Sequence, residues 1–207
     1  MPAKTDFIPA AHWKCLTPYY HGFMKLVFGK RYRHVADLIR LQPGDKVLDV
    51  GCGPGEILKL LALQYPNGEF TGLDVDPEIL EIARKNLSSS VTLAQGSADA
   101  LPFPAGAFQA ITSSLMIHHL TPEQKQKMMR EVYRVLAPGG RFYLFDFAPP
   151  TNWYGKLFTT IFRKAEQLDD AIAGKYRIFL GEAGFKNIQS LYQTHGMFEL
   201  LLAHKPQ

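Results

Sequence analysis

The sequence predicts an α/β fold with a doubly wound parallel sheet, and three observations carry that expectation. From residue 36 to 147 short apolar, strand-like segments alternate with segments of helical spacing. A glycine-rich turn follows directly on the first apolar strand. The chain has 207 residues, 46% of them hydrophobic, which suits a single domain with a sizeable core.

Lys46–Val50 reads as the first strand, and Ile57, Leu58, Leu60 and Leu61 give Glu56–Gln64 a helical spacing. Pro66-Asn67-Gly68 is a turn into a second strand at Glu69–Leu73. Pro77 suits a first helical turn, where a missing N–H costs nothing, with Asp76 before it as cap. Ile79, Leu80, Ile82, Ala83 and Leu87 form that helix's buried face. Val91–Ala94 is the third strand and Ala107–Ser113 the fourth. Thr121-Pro122-Glu123-Gln124 predicts a capping box. Met128, Met129, Val132, Val135 and Leu136 continue that helix as core, and Pro138-Gly139-Gly140 should end it before a fifth strand at Arg141–Phe145. A less regular stretch follows, then a helix over Lys175–Ala183 stopped by Gly184. Strands at Asn187–Tyr192 and Met197–Ala203 are joined by a link so short that they should pair antiparallel. The expected organisation is an N-terminal cap over 1–35, a core over 36–147, a second cap segment over 148–174, and a C-terminal helix with two strands over 175–207.

Composition narrows the class. Nothing at the start has the apolar core of a signal peptide, and no apolar run approaches the ~20 residues that span a bilayer. We therefore expect a cytoplasmic protein. Cys15 and Cys52 are too few for a disulfide framework and are not arranged as a metal site. The net charge of +4 is unevenly spread: residues 1–35 hold six basic side chains against one acid. That arm could touch phosphates, but no nucleic-acid recognition module is visible, so a nucleic-acid partner is disfavoured.

The first strand runs into Asp49-Val50-Gly51-Cys52-Gly53-Pro54-Gly55-Glu56. Glycines at 51, 53 and 55 let the backbone turn sharply and approach a ligand. A nicotinamide enzyme would want glycine at position 56, where Glu56 stands. An acid at a helix N-terminus competes with a pyrophosphate for the positive dipole end, so a ligand without phosphates fits better. Asp49 suits a cationic amino group. Asp74, 23 residues after Gly51, ends the second strand where a carboxylate accepts from both ribose hydroxyls. Asp99, in Gly96-Ser97-Ala98-Asp99-Ala100, is placed to accept from an adenine amino group. The plainer readings are a small residue in a tight turn for Cys52, a bond to loop amides for Asp49, a helix cap for Asp74 and a solvated acid for Asp99.

DVGCGPGE at 49–56, GLDVD at 72–76, GSADALPF at 96–103 and RVLAPGGRF at 134–142 together resemble the class I S-adenosylmethionine-dependent methyltransferases. The resemblance covers about residues 35–147. It implies a sheet order of 3-2-1-4-5-7-6 with strand 7 antiparallel. It also implies S-adenosylmethionine as cofactor and S-adenosylhomocysteine as product, held by Asp49, Gly51, Cys52, Gly53, Gly55, Asp74, Val75, Ala98, Asp99, Ala100 and Ser114, with Tyr20 reaching in from the arm. Within that family the segments Arg134–Arg141 and Tyr19–Arg33 resemble the ubiquinone/menaquinone-biosynthesis branch and its small-molecule and lipid-methylating relatives, although Ala137 stands where that branch has lysine and the arm lacks its fuller N-terminal motif.

Methyl transfer from a sulfonium needs alignment above all, and a base where the acceptor loses a proton. His118 and His119 after the fourth strand are the candidates, His119 first, against the plainer reading that one of them packs or caps the next helix. The segment Ser113–Leu120 lacks the Asn/Asp-Pro-Pro-Tyr motif of nucleic-acid and glutamine amino-group methylases. Neither cysteine follows a proline, which disfavours covalent pyrimidine methylation. Seven aromatics in residues 1–35, and Phe147, Trp153, Tyr154, Phe158 and Phe162 with Lys156, Arg163 and Lys164 further on, read either as caps packed on the core with solvated lysines or as caps over a small hydrophobic acceptor (a quinol, a lipid or another small molecule), anionic or taken from a membrane surface. Leu157, Phe158, Ile161 and Phe162 should share one helical face. A cofactor-binding protein without transferase activity, and more remotely a nicotinamide oxidoreductase, are the alternatives.

Overall fold

The computed structural model describes residues 29–164 and 167–207. Seven strands form one sheet in the order β3-β2-β1-β4-β5-β7-β6. They are β1 (Lys46–Val50), β2 (Glu69–Asp74), β3 (Thr92–Gln95), β4 (Phe108–Ser114), β5 (Leu136–Phe147), β6 (Lys186–Thr194) and β7 (Phe198–His204). The first five run parallel, and β7 is antiparallel to both β5 and β6. The helices are α1 over 29–38, α2 (Glu56–Gln64), α3 (Pro77–Asn86), α4 (Pro122–Val135), α5 (Trp153–Phe162), α6 (Asp169–Ile172) and α7 (Lys175–Glu182).

Central strands of a parallel sheet are covered on both faces and must be apolar throughout. Val47, Leu48, Val50, Ile111 and Phe142 are fully buried for this reason. Helix α2 closes on the sheet with Ile57, Leu58 and Leu61, and α4 with Met128, Met129, Val132 and Val135. The caps expected at the starts of α3 and α4 form: Asp76 accepts from the Glu78 N–H, and Thr121 and Gln124 exchange both bonds of the capping box. The register of β1 sets Asp49 beside Gly72 on one side and Thr112 on the other.

Three details depart from the expectation. Helix α4 stops at Val135, but Pro138-Gly139-Gly140 is no break before a new strand: β5 already begins at Leu136, pairs with Phe108, and slips register before resuming at Ala110–Arg141. Strand hydrogen bonding to β4 keeps this stretch extended, with Gly139 at φ +72° absorbing the irregularity. The stretch after β5 is mostly helical, as α5 and α6. And α1 runs across the boundary expected at residue 35, with Val35, Ala36 and the following Ile39 buried in the core. Residues 1–28, and with them Cys15, Tyr19, Tyr20 and most of the expected N-terminal cap, lie outside the described residues.

Helix α5 is held by backbone rather than by side chains. Gly155 packs directly on Gly196 in the link between β6 and β7, and a Cβ there would overlap the Gly196 carbonyl oxygen. Asn152 caps the helix by accepting from the Gly155 N–H at 2.7 Å. Gly181, inside α7, meets nothing within 4 Å of where its Cβ would stand. Gly181→Ala should therefore stabilise the protein by about 0.5–1 kcal/mol through helix propensity. Gly155→Ala should cost about 1–3 kcal/mol, since backbone cannot step aside as a side chain would. Urea unfolding of both variants checks the contrast, and a neutral Gly155→Ala would refute the packing argument.

Candidate functional site

The carboxyl ends of β1, β2, β3 and β4 converge on one region. Beyond β1 the chain reverses through Gly51, Gly53 and Gly55, at φ +69°, +53° and +86°, where a side chain would be strained. The Gly51 and Cys52 N–H groups both donate to the Leu73 carbonyl, at 2.8 and 2.9 Å, which pins the loop to the end of β2.

The three glycines do different work. A Cβ on Gly51 would enter the Met116 side chain, and one on Gly55 would enter Leu87. Those two are demanded by packing as well as by φ. Gly53 alone of the three faces open space. Its N–H donates to Asp74 Oδ2 at 2.9 Å, while Asp74 Oδ1 accepts from the Asp76 N–H at 3.0 Å. Asp76, not Asp74, caps α3. The Asp74 carboxylate, with about four acceptor positions in all, thus lies beside the open position. Burial raises the Asp74 carboxyl above its ordinary range, against the loop N–H bonds that lower it.

Asp49 lies beneath this loop, 2% exposed, with one oxygen accepting from the Thr112 hydroxyl at 2.7 Å. Burial pushes its carboxyl up to about 7; the Thr112 bond opposes that rise and the charge of Asp74 adds to it. This bond comes from a hydroxyl, not from the loop amides of the plainer sequence reading. Cys52 is also buried, and burial, followed by the charges of Asp49 and Asp74, pushes its thiol well above the usual range. It behaves as the small turn residue, not as a nucleophile.

The third loop is braced from α4. Ser97 donates its hydroxyl to Asp99, which stays partly exposed near the end of β3. Ala98 is buried and Ala100 exposed, while Val75 and Ser114 are partly buried at the ends of β2 and β4. Glu131 accepts from the Leu101 N–H at 2.9 Å, and Arg134 donates to the Phe103 and Leu101 carbonyls at 2.8 and 3.0 Å. Sequence reasoning gave Glu131 no role; its acid–base spacing with Arg134 on one helix is the signal that pointed to it.

The turn after β4 is tied down by one carboxylate. Asp146, near the end of β5, is 1% exposed. Its Oδ2 accepts from the Met116 and Ile117 N–H groups at 3.0 Å each. Its Oδ1 lies 2.7 Å from His118 Nδ1 and accepts from the Phe147 N–H at 2.7 Å. Burial works to raise its carboxyl, but the charge and hydrogen bond of His118, the Phe147 N–H and the charge of His119 prevail and hold it below the ordinary range. Leu115, at φ +51°, carries backbone strain at the head of this turn. The His118 ring is buried edge-on against Phe147, and the partly exposed His119 ring lies 4.0 Å from it. The structure thus brings the two histidines together but gives them different surroundings. Asp146 was missed because it falls in an apolar strand, where a lone acid carries no periodic signal.

On the other side of Asp146 a cavity of about 220 Å³ opens between the sheet and α6–α7. Phe147, Tyr176, Arg177, Gln193 and Glu199 contribute to its wall. Arg177 and Gln193 both donate to Glu199, at 2.7 and 3.0 Å.

Comparison with known proteins bears on this arrangement. A family model described as a methyltransferase domain matches residues 47–140. An uncharacterized methyltransferase of Synechocystis is 34% identical over 173 residues, covering 80% of this chain and 78% of that protein. A ubiquinone/menaquinone biosynthesis C-methyltransferase of Cronobacter sakazakii is 28% identical over 200 residues, covering 84% and 79%. Among solved structures, human N-acetylserotonin methyltransferase in complex with S-adenosylmethionine shares the fold with a TM-score of 0.73 at 19% identity, over 91% of this chain and 55% of that one.

Leaving a buried hydrogen-bond donor unsatisfied typically costs about 1–3 kcal/mol. Asp146→Ala should destabilise the protein by that order at pH 7. A carboxylate with a lowered folded pKa contributes stability above its unfolded value of about 4, and loses it as pH falls further. The gap between wild type and variant should therefore narrow below about pH 4 in urea unfolding. A gap independent of pH would show that Asp146 acts through packing alone.

Proposed function

Because the chain belongs to the class I S-adenosylmethionine-dependent methyltransferases, we propose that it methylates a small, largely apolar acceptor such as a quinol, with the loops after β1–β3 holding the cofactor and the turn after β4 facing the acceptor. The observation that carries the cofactor half is the open position at Gly53, flanked by the Asp74 carboxylate. With Asp99 on the neighbouring loop, it suits a ribose and an adenine without needing a phosphate site. Glu56 in the first turn of α2 fits the same ligand, and the nicotinamide alternative falls with the family. The acceptor half draws on the relatives of the quinone-methylating branch.

S-adenosylmethionine supplies an electrophilic methyl group on a sulfonium. The residues of this chain align and exclude. Asp74 takes the ribose hydroxyls, Gly53 leaves the backbone flush with the ligand, and Asp99 takes the adenine amino group. Val75, Ala98, Ala100 and Ser114 line the surroundings of these groups. His119 accepts the acceptor's proton, while His118, held by Asp146, positions the turn that presents it.

Two sets of measurements test this reading. Asp74→Ala should weaken S-adenosylhomocysteine binding by about 1.5–3 kcal/mol, the range for hydrogen bonds to a charged group. Asp49 adds a pH signature. Its folded carboxyl titrates near 7, so below that pH a cationic ligand must expel a proton to gain the ionised partner. Affinity should rise with pH up to about 7 and level off above it, and Asp49→Asn should flatten the curve. Calorimetry across pH 5–8 checks both, and a wild-type curve already flat would remove Asp49 from the ammonium role.

Labelled methyl transfer to soluble quinols, phenols and amines tests the acceptor half. Loss of a general base costs roughly 10²–10⁴-fold in rate. His119→Gln should lower kcat by that order and leave S-adenosylhomocysteine binding unchanged. Full activity in that variant would return the base to another group or to water.

A further inference from the structure

Helix α5 is inside out. Its buried face is Gly155 and Thr159, with only Phe158 reaching the core, where it stacks on Phe147 at 6.2 Å between ring centres. Its outward face carries the large apolar side chains. Trp153, Leu157 and Ile161, spaced four apart and therefore on one line, are 76%, 52% and 65% exposed, with Tyr154 beside them at 47%. The residues expected to share one face are thus split, Phe158 inward and Leu157 and Ile161 outward. Close backbone packing at Gly155 leaves no depth for larger residues on the inner side. A helix of a soluble domain normally hides its apolar stripe, and a contiguous exposed one marks a docking surface.

The charge around this stripe selects the occupant. From Ala148 to Lys164 there is no acid, while Lys156, Arg163 and Lys164 are exposed on the same helix and its end. Arg163 is engaged by Asp169 at 2.5 Å, which leaves Lys156 and Lys164 to define the field of the face. Tryptophan and tyrosine at one end, aliphatic residues along the line and lysines at its borders match the interfacial layer of a bilayer, where aromatic rings sit among headgroups and lysine stems reach anionic phosphates. No described helix is long and apolar enough to cross a membrane, so the contact would be lateral. The helix also follows β5 directly, and its neighbours Pro149 and Thr151 line the mouth of the cavity beside Asp146.

We propose that α5 docks the protein on an anionic membrane surface, with Trp153, Leu157 and Ile161 inserted at headgroup depth and Lys156 and Lys164 on the lipid phosphates. The proposal rests on the reading of a lipid-soluble acceptor for its purpose, but not for its test. The full chain carrying W13F keeps Trp153 as its single tryptophan. Vesicles of phosphatidylcholine with phosphatidylglycerol should shift its emission to the blue, and phosphatidylcholine alone should do so at roughly tenfold higher lipid. Leu157→Ser with Ile161→Ser should abolish co-sedimentation with either vesicle while thermal unfolding stays unchanged. Lys156→Gln with Lys164→Gln should erase the preference for the anionic lipid.

An unmoved Trp153 emission, or undiminished binding by the double serine variant, would overturn the proposal. Concentration-dependent dimers without vesicle binding would give the face to a second copy and overturn it equally. Vesicle binding is read with no acceptor present. Its failure would leave the methyl-transfer reading standing, and absence of transfer would leave the vesicle result standing.

Discussion

A charge buried in a protein must be met by donors or it will not stay charged, and Asp146 is where this chain obeys that constraint most strictly. Four donors reach its two oxygens: two amides of the turn after β4, the amide of Phe147, and the His118 ring. The carboxylate therefore fastens the exit of β4 to the exit of β5. Met116, held in that turn, packs against the Gly51 backbone and so fastens both to the glycine loop. The site is a set of loops, which would wander if each were anchored only in its own strand. One buried acid makes them a single body.

The parts legible in the sequence are those governed by local chemistry. The four-residue box at Thr121–Gln124, the cap at Asp76, and the apolar runs of β1 and α2 follow from short-range rules and stand where the rules put them. The order of strands came through a resemblance of four motifs and is the order observed. What stayed illegible depends on contacts across the fold. Asp146 reads as an oddity in an apolar strand until its donors, 28 to 30 residues away, are seen. The glycines at 51 and 55 look like a ligand cradle in sequence, yet Met116 and Leu87 fill the space that a Cβ would take. In helix α5 Leu157 and Ile161 turn outward while Phe158 turns inward, because periodicity reports spacing and not how closely the neighbouring backbone packs.

The same distinction separates the two ends of the sheet. At the amino end, Arg141 donates to Asp45 and to the Arg40 carbonyl, and Tyr143 shares its hydroxyl with the Arg40 backbone. These bonds close the bottom of the domain. At the carboxyl end the polar groups are directed to loops, Asp74 to the glycine loop and Asp146 to the turn after β4. In open α/β sheets ligands generally bind at that carboxyl end.

The state of Cys52 bears on a hazard peculiar to this chemistry. A methyl sulfonium is an alkylating agent, and a protein that holds one against its own loop invites damage by its own reagent. Thiolates are the strongest nucleophiles among side chains, and a thiol is a poor one. Cys52 sits next to Gly53, the glycine of this loop that faces open space. Burial and the two neighbouring carboxylates keep it protonated. The sulfur at the centre of the loop is thereby favoured in its thiol form, the weaker nucleophile.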